Sequence, residues 1–173
     1  VLCLGICDKI VPGMLIGALQ FGHLRTGFIG SGPMATGIPN REKAAVRQQF
    51  AAGTADEAAL LAVESASYHS AGTCTFYGTA NTNQVMMEVL GLQLPGSSFL
   101  HPENPLRPAL TRRTIEELVR PAGEVKPRRL CDVVTEASLV NAVVAILATG
   151  GSTNHTLHLV AIAQAAGIDL TWE

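Results

Sequence analysis

Apolar and polar residues alternate in short blocks along the N-terminal part of the chain. Residues 2–6 form an apolar run that polar residues end at once, which predicts a short buried strand. Residues 10–21 follow with the pattern of a helix, and residues 26–29 form a second short apolar run. This order of strand, helix and strand predicts a βαβ unit with two parallel strands.

The rest of the pattern predicts helices joined by loops. Residues 41–68 have an Ala-rich helical pattern that breaks near Gly53, and Asp56 supplies an acid early in the second helix. Further helices are predicted over residues 84–90, 110–119, 132–148 and 153–166, loops over residues 70–83 and 94–108, and the start of a strand over residues 168–172. The expected fold class is therefore α/β, a helix-rich domain of three-layer type around a small, mainly parallel sheet.

Residues 132–148 have the most regular helical spacing in the chain. Their apolar residues recur along one face, at Val133, Ala137, Val140, Val144 and Leu147. Two glycines then end the run. The spacing predicts one continuous helix with an apolar stripe.

The composition limits the classes of protein to which the chain can belong. Apolar residues make up 47% and charged residues only 15%, against about 25% in average domains. Such low charge indicates that part of the surface is covered by something outside the 173 residues. The chain also starts without Met and stops without a terminating pattern. We therefore expect an internal piece of a longer protein, poorly soluble when it is expressed alone.

Charge and hydropathy exclude two kinds of partner. Twelve basic and 14 acidic residues give a net charge of −2, so no nucleic-acid partner is expected. No apolar stretch reaches 18 residues, so no membrane span is expected either.

The four cysteines, at positions 3, 7, 74 and 131, form no CxxC pair. This spacing favours reduced thiols or cofactor ligands over a secreted disulfide framework. Cys7, Asp8 and Lys9 follow the first strand, at the edge where open α/β sheets bind ligands. In the alternative interpretation, which composition alone favours, Cys7 is a small buried residue, and Asp8 and Lys9 are solvated. Cys3 and Cys131 are expected only to pack.

Cys74 lies in a stretch, residues 68–83, that is rich in Thr, Asn and small residues. Gly72 and Gly78 allow the backbone to approach a bulky group, and the sulfides of an iron–sulfur cluster need such close approach. The alternative interpretation is a polar turn with an incidental thiol. The residues alone do not decide between the two.

Residues 150–155 join two predicted helices and form a second candidate site. Two glycines precede Ser152, Thr153 and Asn154 at a helix start, where free N–H groups and the helix dipole attract a phosphate or a carboxylate. The commoner explanation is that Ser152 or Thr153 only caps the helix. His155 and His158 share a face, but no acidic residue completes a metal site there, so packing is expected.

Five stretches, taken in order, resemble the dihydroxy-acid dehydratase and 6-phosphogluconate dehydratase family. They are residues 5–13 (GICDKIVPG), 31–34 (SGPM), 72–83 (GTCTFYGTANTN), 94–99 (LPGSSF) and 148–155 (ATGGSTNH). The residues that follow Cys74 resemble those of the 6-phosphogluconate branch. In the dihydroxy-acid branch a Gly-Gly-Met-Tyr stretch usually follows the corresponding cysteine. Arg25 and the glycine-rich residues 27–30 depart from the family pattern.

This resemblance implies the iron–sulfur-binding part of a hydro-lyase. It implies that Cys7 and Cys74 are two ligands of an iron–sulfur cluster, with 4Fe–4S favoured over 2Fe–2S, and that their sulfurs converge. It also implies that Asp8 and a carbamylated Lys9 hold Mg²⁺, because the carbamate oxygens suit a hard cation. The residues expected to bind the substrate anion are Ser31, Ser152, Thr153, Asn154 and His155, with Arg47, Arg107 and His101 as weaker candidates.

The family resemblance further implies what the whole protein does. Residues 1–173 would be part of the N-terminal domain of a cytoplasmic homodimer that eliminates water from a sugar-acid phosphate, 6-phospho-D-gluconate, in the Entner–Doudoroff pathway. The third cysteine ligand, a further Mg²⁺ carboxylate, the catalytic base and the C-terminal domain would lie outside this chain, which would be inactive alone. Two alternatives stay open, a dihydroxy-acid or sugar-acid dehydratase of the same fold and a non-catalytic helical interaction module.

Overall fold

The computed structural model describes residues 1–67, 70–121 and 128–171. Helices cover most of these residues, and two short strands form one sheet, so the predicted helix-rich α/β class is confirmed. The elements are β1 (Leu2–Gly5), α1 (Ile10–Leu19), β2 (Gly27–Gly30), α2 (Asn40–Ala51), α3 (Glu57–Ser67), α4 (Thr79–Val89), α5 (Arg107–Val119), α6 (Leu130–Val133), α7 (Glu136–Thr149) and α8 (Asn154–Ala165). None of the helices within the described ranges is long and apolar enough to cross a membrane.

The N-terminal part forms the predicted βαβ unit. The strands β1 and β2 pair in parallel, with Leu2 opposite Gly27 and Gly5 opposite Gly30. The helix α1 contacts β1, and α5 contacts β2. The expectation that the first strand is buried is only half right, because Leu2 and Leu4 on its outer face are exposed.

The hydrophobic core lies where α1, α4, α7 and α8 meet. Side chains from all four helices are buried in it, including Leu15, Met86, Met87, Ala142 and Ile162. The helix α4 is at the centre of this packing, since it contacts each of the other three helices. Burial extends beyond its apolar residues, because every residue from 80 to 87 is buried.

The helix α4 begins at Thr79, whereas the sequence predicted a loop as far as residue 83. Thr and Asn have low intrinsic helix propensity and favour turns, and for that reason the stretch was expected to be a loop. Packing against three helices outweighs this weak local preference. The predicted loop is therefore wrong over residues 79–83.

The predicted helix over residues 132–148 is interrupted. The short helix α6 ends at Val133, and α7 begins after Thr135, whose side chain accepts a hydrogen bond from the backbone N–H of Ser138 at 3.2 Å. Ser138 returns a bond by accepting from the N–H of Thr135 at 2.8 Å, so the two residues form a capping box. This start signal divides the segment in two.

The apolar stripe predicted on α7 faces away from the core. Most of its members, among them Val140, Val144 and Leu147, are exposed, while the buried residues of the helix are Leu139, Ala142 and Ile146. The helix has apolar residues on more than one face, and periodicity cannot tell which face is covered.

Two other expectations concern the middle and the end of the chain. Asp56 precedes α3 and caps it, because its carboxylate accepts the backbone N–H of Ala59 at 2.8 Å. The strand expected over residues 168–172 is absent from residues 168–171, and Trp172 lies outside the described residues.

Replacement of Gly32 by Ala should destabilise the fold far more than the same change at Gly53. Both glycines have a positive φ, 77° and 72°, which costs an L-residue about 1 kcal/mol. An added Cβ at Gly32 would also overlap the carbonyl oxygen of Leu100, whereas nothing lies within 4 Å at Gly53. Urea unfolding should show a loss of about 4 kcal/mol for Gly32→Ala and about 1 kcal/mol for Gly53→Ala. Equal losses would contradict this account.

Candidate functional site

The N-terminal half of α4 connects the sequence motifs. Four consecutive polar side chains in this half are buried, namely Asn81, Thr82, Asn83 and Gln84. Buried polar groups need hydrogen-bond partners. Three of these side chains bond to loops far away in the sequence, and Asn81 bonds to the loop that precedes the helix.

Asn81 holds the loop that carries Cys74. Its side-chain oxygen accepts a hydrogen bond from the hydroxyl of Thr73 at 2.6 Å. Its Nδ2 donates to the carbonyl oxygens of Cys74 at 3.3 Å and Phe76 at 3.2 Å. One buried carboxamide therefore bridges both sides of Cys74.

Gln84 and Thr73 hold the loop after β2. The backbone N–H of Gly32 donates to Oε1 of Gln84 at 2.9 Å. The backbone N–H of Thr73 donates to the carbonyl of Gly32, and the N–H of Met34 donates to the carbonyl of Thr73, both at 2.9 Å, so Thr73 and Pro33 form a parallel bridge. Ser31 is half-buried, and its hydroxyl donates to the carbonyl of Gly32 at 3.0 Å. The stretch 31–34 is thus placed beside the Cys74 loop.

Asn83 holds the turn after β1. Its Nδ2 donates to the carbonyl oxygens of Cys7 at 3.3 Å and Asp8 at 2.7 Å. The thiol of Cys7 is exposed, so the alternative interpretation of Cys7 as a buried packing residue is wrong. Its sulfur lies 3.8 Å from a carboxylate oxygen of Asp8, a weak S–H hydrogen bond.

Asp8 and Lys9 form an exposed ion pair. Nζ of Lys9 donates to Oδ2 of Asp8 at 2.9 Å. This hydrogen bond is the main cause that lowers the pKa of Asp8, and it likewise raises the pKa of Lys9. The pair is therefore a carboxylate and an ammonium near neutral pH.

The loop before α8 is fixed on α4 by hydroxyl groups. The backbone N–H of Ser152 donates to Oγ1 of Thr82 at 3.0 Å, and the hydroxyls of Ser152 and Thr79 are 2.7 Å apart. Asn154 Nδ2 donates to the same Thr79 hydroxyl at 3.4 Å. Thr153 makes no side-chain cap, whereas the hydroxyl of Ser152 accepts the N–H of Asn154 at 3.3 Å, so of the two expected capping residues only Ser152 bonds the helix start.

Few backbone N–H groups at this helix start are available to an anion. The N–H of Ser152 is engaged with Thr82, that of Asn154 with the Ser152 hydroxyl, and that of His155 with the Ser152 carbonyl. The side chains of Thr153 and Asn154 are exposed. An anion would therefore be bound mainly through exposed side chains and not through a set of free N–H groups.

His155 is fully buried, and neither ring nitrogen has a partner among the described residues. Burial, followed by the charge of His158, lowers the pKa of His155 to about 4. The rings of His155 and His158 are 5.8 Å apart and meet edge to face, so the two side chains contact each other. Burial is the main cause that lowers the pKa of His158.

Two of the weaker anion candidates are engaged elsewhere. The guanidinium of Arg107 is buried and donates to the carbonyl oxygens of Gly30 at 2.6 Å, Ser97 at 2.8 Å and Leu100 at 3.1 Å. Arg47 forms a 2.5 Å ion pair with Glu64. Both cations therefore serve the fold.

The third weaker candidate and the remaining cysteines are also placed. Nδ1 of His101 accepts the backbone N–H of Glu103 at 3.2 Å. Cys3 packs in the core as expected, whereas Cys131 is exposed, so the expectation that it packs is wrong. Arg25, a departure from the family pattern, donates to the carbonyl of Arg120 at 2.7 Å.

The part of the chain that the structure describes holds no group of three or more His, Cys, Asp or Glu side chains placed to bind a metal. What it does hold is a helix to which both cysteine loops are tied. Sequence reasoning missed Asn81 and Asn83, which tie these loops, and Thr82, which ties the loop before α8, because it expected a loop there. The absence of Gly and Pro from residues 79–90 was the signal that could have revealed the helix.

Comparison with known proteins identifies relatives along the whole chain. A family model described as dihydroxy-acid/6-phosphogluconate dehydratase N-terminal matches residues 1–173. A phosphogluconate dehydratase of Pseudomonas aeruginosa is 63% identical and covers 99% of this chain, and one of Escherichia coli K12 is 57% identical over the same share. A dihydroxy-acid dehydratase of Hydrogenobaculum is 41% identical and also covers 99%. The chain spans 28%, 29% and 32% of these curated relatives, respectively.

The buried His155 should make the protein less stable in mild acid. Its pKa is lowered on folding, so the folded state binds a proton less readily than the unfolded chain, and stability falls as the pH drops from about 6.5 towards 4. The expected loss between pH 7 and pH 5 is about 2 kcal/mol. Urea unfolding at the two pH values should show this loss in the wild type and a much smaller loss in His155→Gln.

The exposed His23 supplies the matched control for this measurement. His23→Gln should keep the pH dependence of the wild type. An unchanged pH dependence in His155→Gln would contradict the assignment.

Proposed function

Because the chain belongs to the dihydroxy-acid/6-phosphogluconate dehydratase family, we propose that the protein that carries it eliminates water from 6-phospho-D-gluconate. The product is 2-dehydro-3-deoxy-6-phosphogluconate. The observation that carries the choice of substrate is identity: the curated relatives named phosphogluconate dehydratase are 54–63% identical to the chain, against 41% for a dihydroxy-acid dehydratase.

This reaction has two chemical difficulties. Removal of the proton at C2 builds negative charge beside a carboxylate, so that proton is very weakly acidic. The hydroxyl at C3 is a poor leaving group. The site must therefore stabilise developing negative charge and activate the departing hydroxyl.

The two cysteines suit an iron–sulfur cluster in their chemistry, and both lie on loops fixed to the same helix. Cys7 is an exposed free thiol and Cys74 a half-buried one, and both loops are fixed on α4 by buried amides. When bound, a cluster with an open iron position supplies a Lewis acid for the departing hydroxyl. We propose Cys7 and Cys74 as two of its ligands, with any further thiolate supplied by another part of the protein.

Asp8 and Lys9 suit Mg²⁺ only after a chemical change. The ammonium of Lys9 donates to the Asp8 carboxylate at 2.9 Å, and an ammonium repels a metal cation. The Lys9 side chain is 80% exposed, so dissolved CO₂ has access to it. We propose that Lys9, after losing a proton to solvent, adds CO₂ through its neutral amine and releases a second proton to form a carbamate. This step replaces the positive charge with oxygen ligands, and Mg²⁺ is held only in that state.

The chain's own contribution to substrate binding is proposed at Ser31, Ser152, Thr153 and Asn154. Ser31 and Ser152 are partly exposed and lie on loops fixed to α4. A serine hydroxyl has one donor for a phosphate or a carboxylate, and that of Ser31 must first turn away from the Gly32 carbonyl. His155 is fully buried, so we assign it a packing role and not contact with the substrate.

Several features of the whole protein are proposals of the same kind. We propose that residues 1–173 form part of an iron–sulfur-binding domain joined to a C-terminal domain that supplies the base. We also propose that the enzyme is a cytoplasmic homodimer. A 4Fe–4S cluster is proposed over a 2Fe–2S cluster. Iron and sulfide analysis, with EPR and Mössbauer spectra of the intact protein, tests the cluster type.

Replacement of either proposed ligand should remove the cluster. Cys7→Ser and Cys74→Ser in the full-length protein, purified without oxygen, should lose the visible charge-transfer absorption and more than about 100-fold of the activity. Cys131→Ser is the control, since Cys131 is also exposed but lies outside both loops. A Cys7→Ser variant that keeps its colour and its rate would refute the assignment.

Substrate profiling separates the two dehydratase branches. The full-length enzyme should turn over 6-phospho-D-gluconate and should be much slower with 2,3-dihydroxy-3-methylbutanoate. The opposite preference would favour the dihydroxy-acid branch. A protein that binds no iron and dehydrates neither compound would instead be the non-catalytic interaction module.

A further inference from the structure

We propose that Asn81 and Asn83 are a pair of positioning residues that fix the two cysteine loops on one helix, an inference that rests on the proposed role of Cys7 and Cys74 as cluster ligands. Each amide bonds to the backbone of one cysteine. Together the two amides set the positions in which the thiols of Cys7 and Cys74 face the proposed cluster.

Asn83 controls the turn that carries Cys7. A carboxamide nitrogen has two N–H donors, and here they bond to two consecutive carbonyls, those of Cys7 at 3.3 Å and Asp8 at 2.7 Å. The residues are 76 and 75 positions apart in the sequence, and the Asn83 side chain is fully buried. The peptide plane between Cys7 and Asp8 is thus fixed from inside the protein.

Asn81 controls the loop that carries Cys74 in a different way. It uses both ends of its carboxamide, accepting from Thr73 at 2.6 Å and donating to Cys74 at 3.3 Å and Phe76 at 3.2 Å. These partners lie before, at and after the cysteine. The Asn81 side chain is 3% exposed, so water competes little for the three bonds.

The spacing of the two amides makes them complementary. Residues two positions apart on a helix point to different sides, so Asn81 and Asn83 reach different loops and do not compete for one. The helix between them is held rigidly, because Met86 and Met87 in its next turn are buried in the core. Movement of one cysteine loop relative to the other therefore requires the rupture of buried hydrogen bonds.

Both residues need amide chemistry and not merely polarity. An Asp at position 83 would have the shape of Asn but no N–H donors, and its charge would face two carbonyl oxygens. A Leu would fill a similar volume without any hydrogen bond. These two variants separate the amide function from packing.

The first experiment measures thiol alkylation in the full-length protein after its cluster has been removed. Iodoacetamide labelling followed by peptide mapping gives a rate for each cysteine. Asn83→Leu should change the rate at Cys7 roughly tenfold and leave Cys74 near its wild-type rate, and Asn81→Leu should do the reverse. Cys3 is buried in the core and should stay protected in both variants if they are folded.

Thr82→Val is the matched control. Thr82 lies between the two asparagines and is equally buried, but its hydroxyl accepts the N–H of Ser152 in a loop without a cysteine. The hydroxyl also donates to the carbonyl of Gly78 at 2.9 Å, and in Thr82→Val the backbone N–H of residue 82 keeps its own bond to that carbonyl. It should leave both alkylation rates unchanged. Equal changes at Cys7 and Cys74 in the asparagine variants, or no change at all, would overturn the proposal.

Loss of the fold is also a decisive outcome. If Cys3 becomes reactive in the Leu variants, the milder Asn81→Ser and Asn83→Ser are tested in the same way. Exposure of Cys3 in these as well would show that the amides are needed for folding in general, and the positioning role would be rejected.

The second experiment measures iron release from the loaded protein to a chelator. Asn81→Leu, Asn83→Leu and Asn83→Asp should release iron roughly tenfold faster than the wild type and Thr82→Val. If the asparagine variants release iron at the same rate as Thr82→Val, the positioning role is rejected, while cluster ligation by Cys7 and Cys74 is unaffected. If Cys7→Ser and Cys74→Ser retain iron like the wild type, the proposed cluster ligation itself fails, so the two failures are distinguishable.

Discussion

A run of polar side chains buried inside one helix is the constraint on which the rest of the structure depends. An unpartnered polar group in the interior costs about 1–3 kcal/mol, so hydrogen bonds of the buried residues 81–84 constrain the fold. All their side-chain polar atoms except Oδ1 of Asn83 and Nε2 of Gln84 have a partner among the described residues. Most of these partners lie in loops, at Cys7 and Asp8, at Gly32, at residues 73–76 and at Ser152. The hydrophobic core places the helix, and the hydrogen bonds then place the loops around it.

Close approach of the backbone completes this arrangement. A Cβ at Gly30, the last residue of β2, would collide with the side chain of Gln84 in α4, and a Cβ at Gly32 would collide with the backbone of Leu100. These two glycines therefore allow the end of β2 to approach α4 and the next loop to approach Leu100. On the other side of that loop, the buried guanidinium of Arg107 joins Gly30 to Ser97 and Leu100. Residues 94–106, most of the stretch predicted as a loop, are held in place without being a helix or a strand, whereas residues 107 and 108 belong to α5.

Several apolar residues of the strand β1 and the helix α7 lie on the surface and not in the core. Val140, Val144 and Leu147 are exposed on α7, together with Leu2 and Leu4 on β1. These exposed residues agree with the low share of charged residues in the chain, because apolar side chains take up surface that charged side chains usually cover. The hydrogen bonds that hold the loops around α4 do not involve these residues.

The sequence by itself determined the βαβ unit, the order of the helices and the motifs that mark the family, because these depend on local periodicity and on residues close together in the chain. It did not determine that residues 79–83 are helical, that α7 presents Leu139 and Ile146 to the core and Val140 to solvent, or that Arg107 serves the fold. Those outcomes depend on contacts between distant segments, which outweigh a weak local preference or choose between two apolar faces. Only the tertiary structure could show that Asn81 and Asn83 each bind the backbone of one cysteine, because the partners of Asn83 are more than seventy residues away and those of Asn81 are recognisable only once the helix is known.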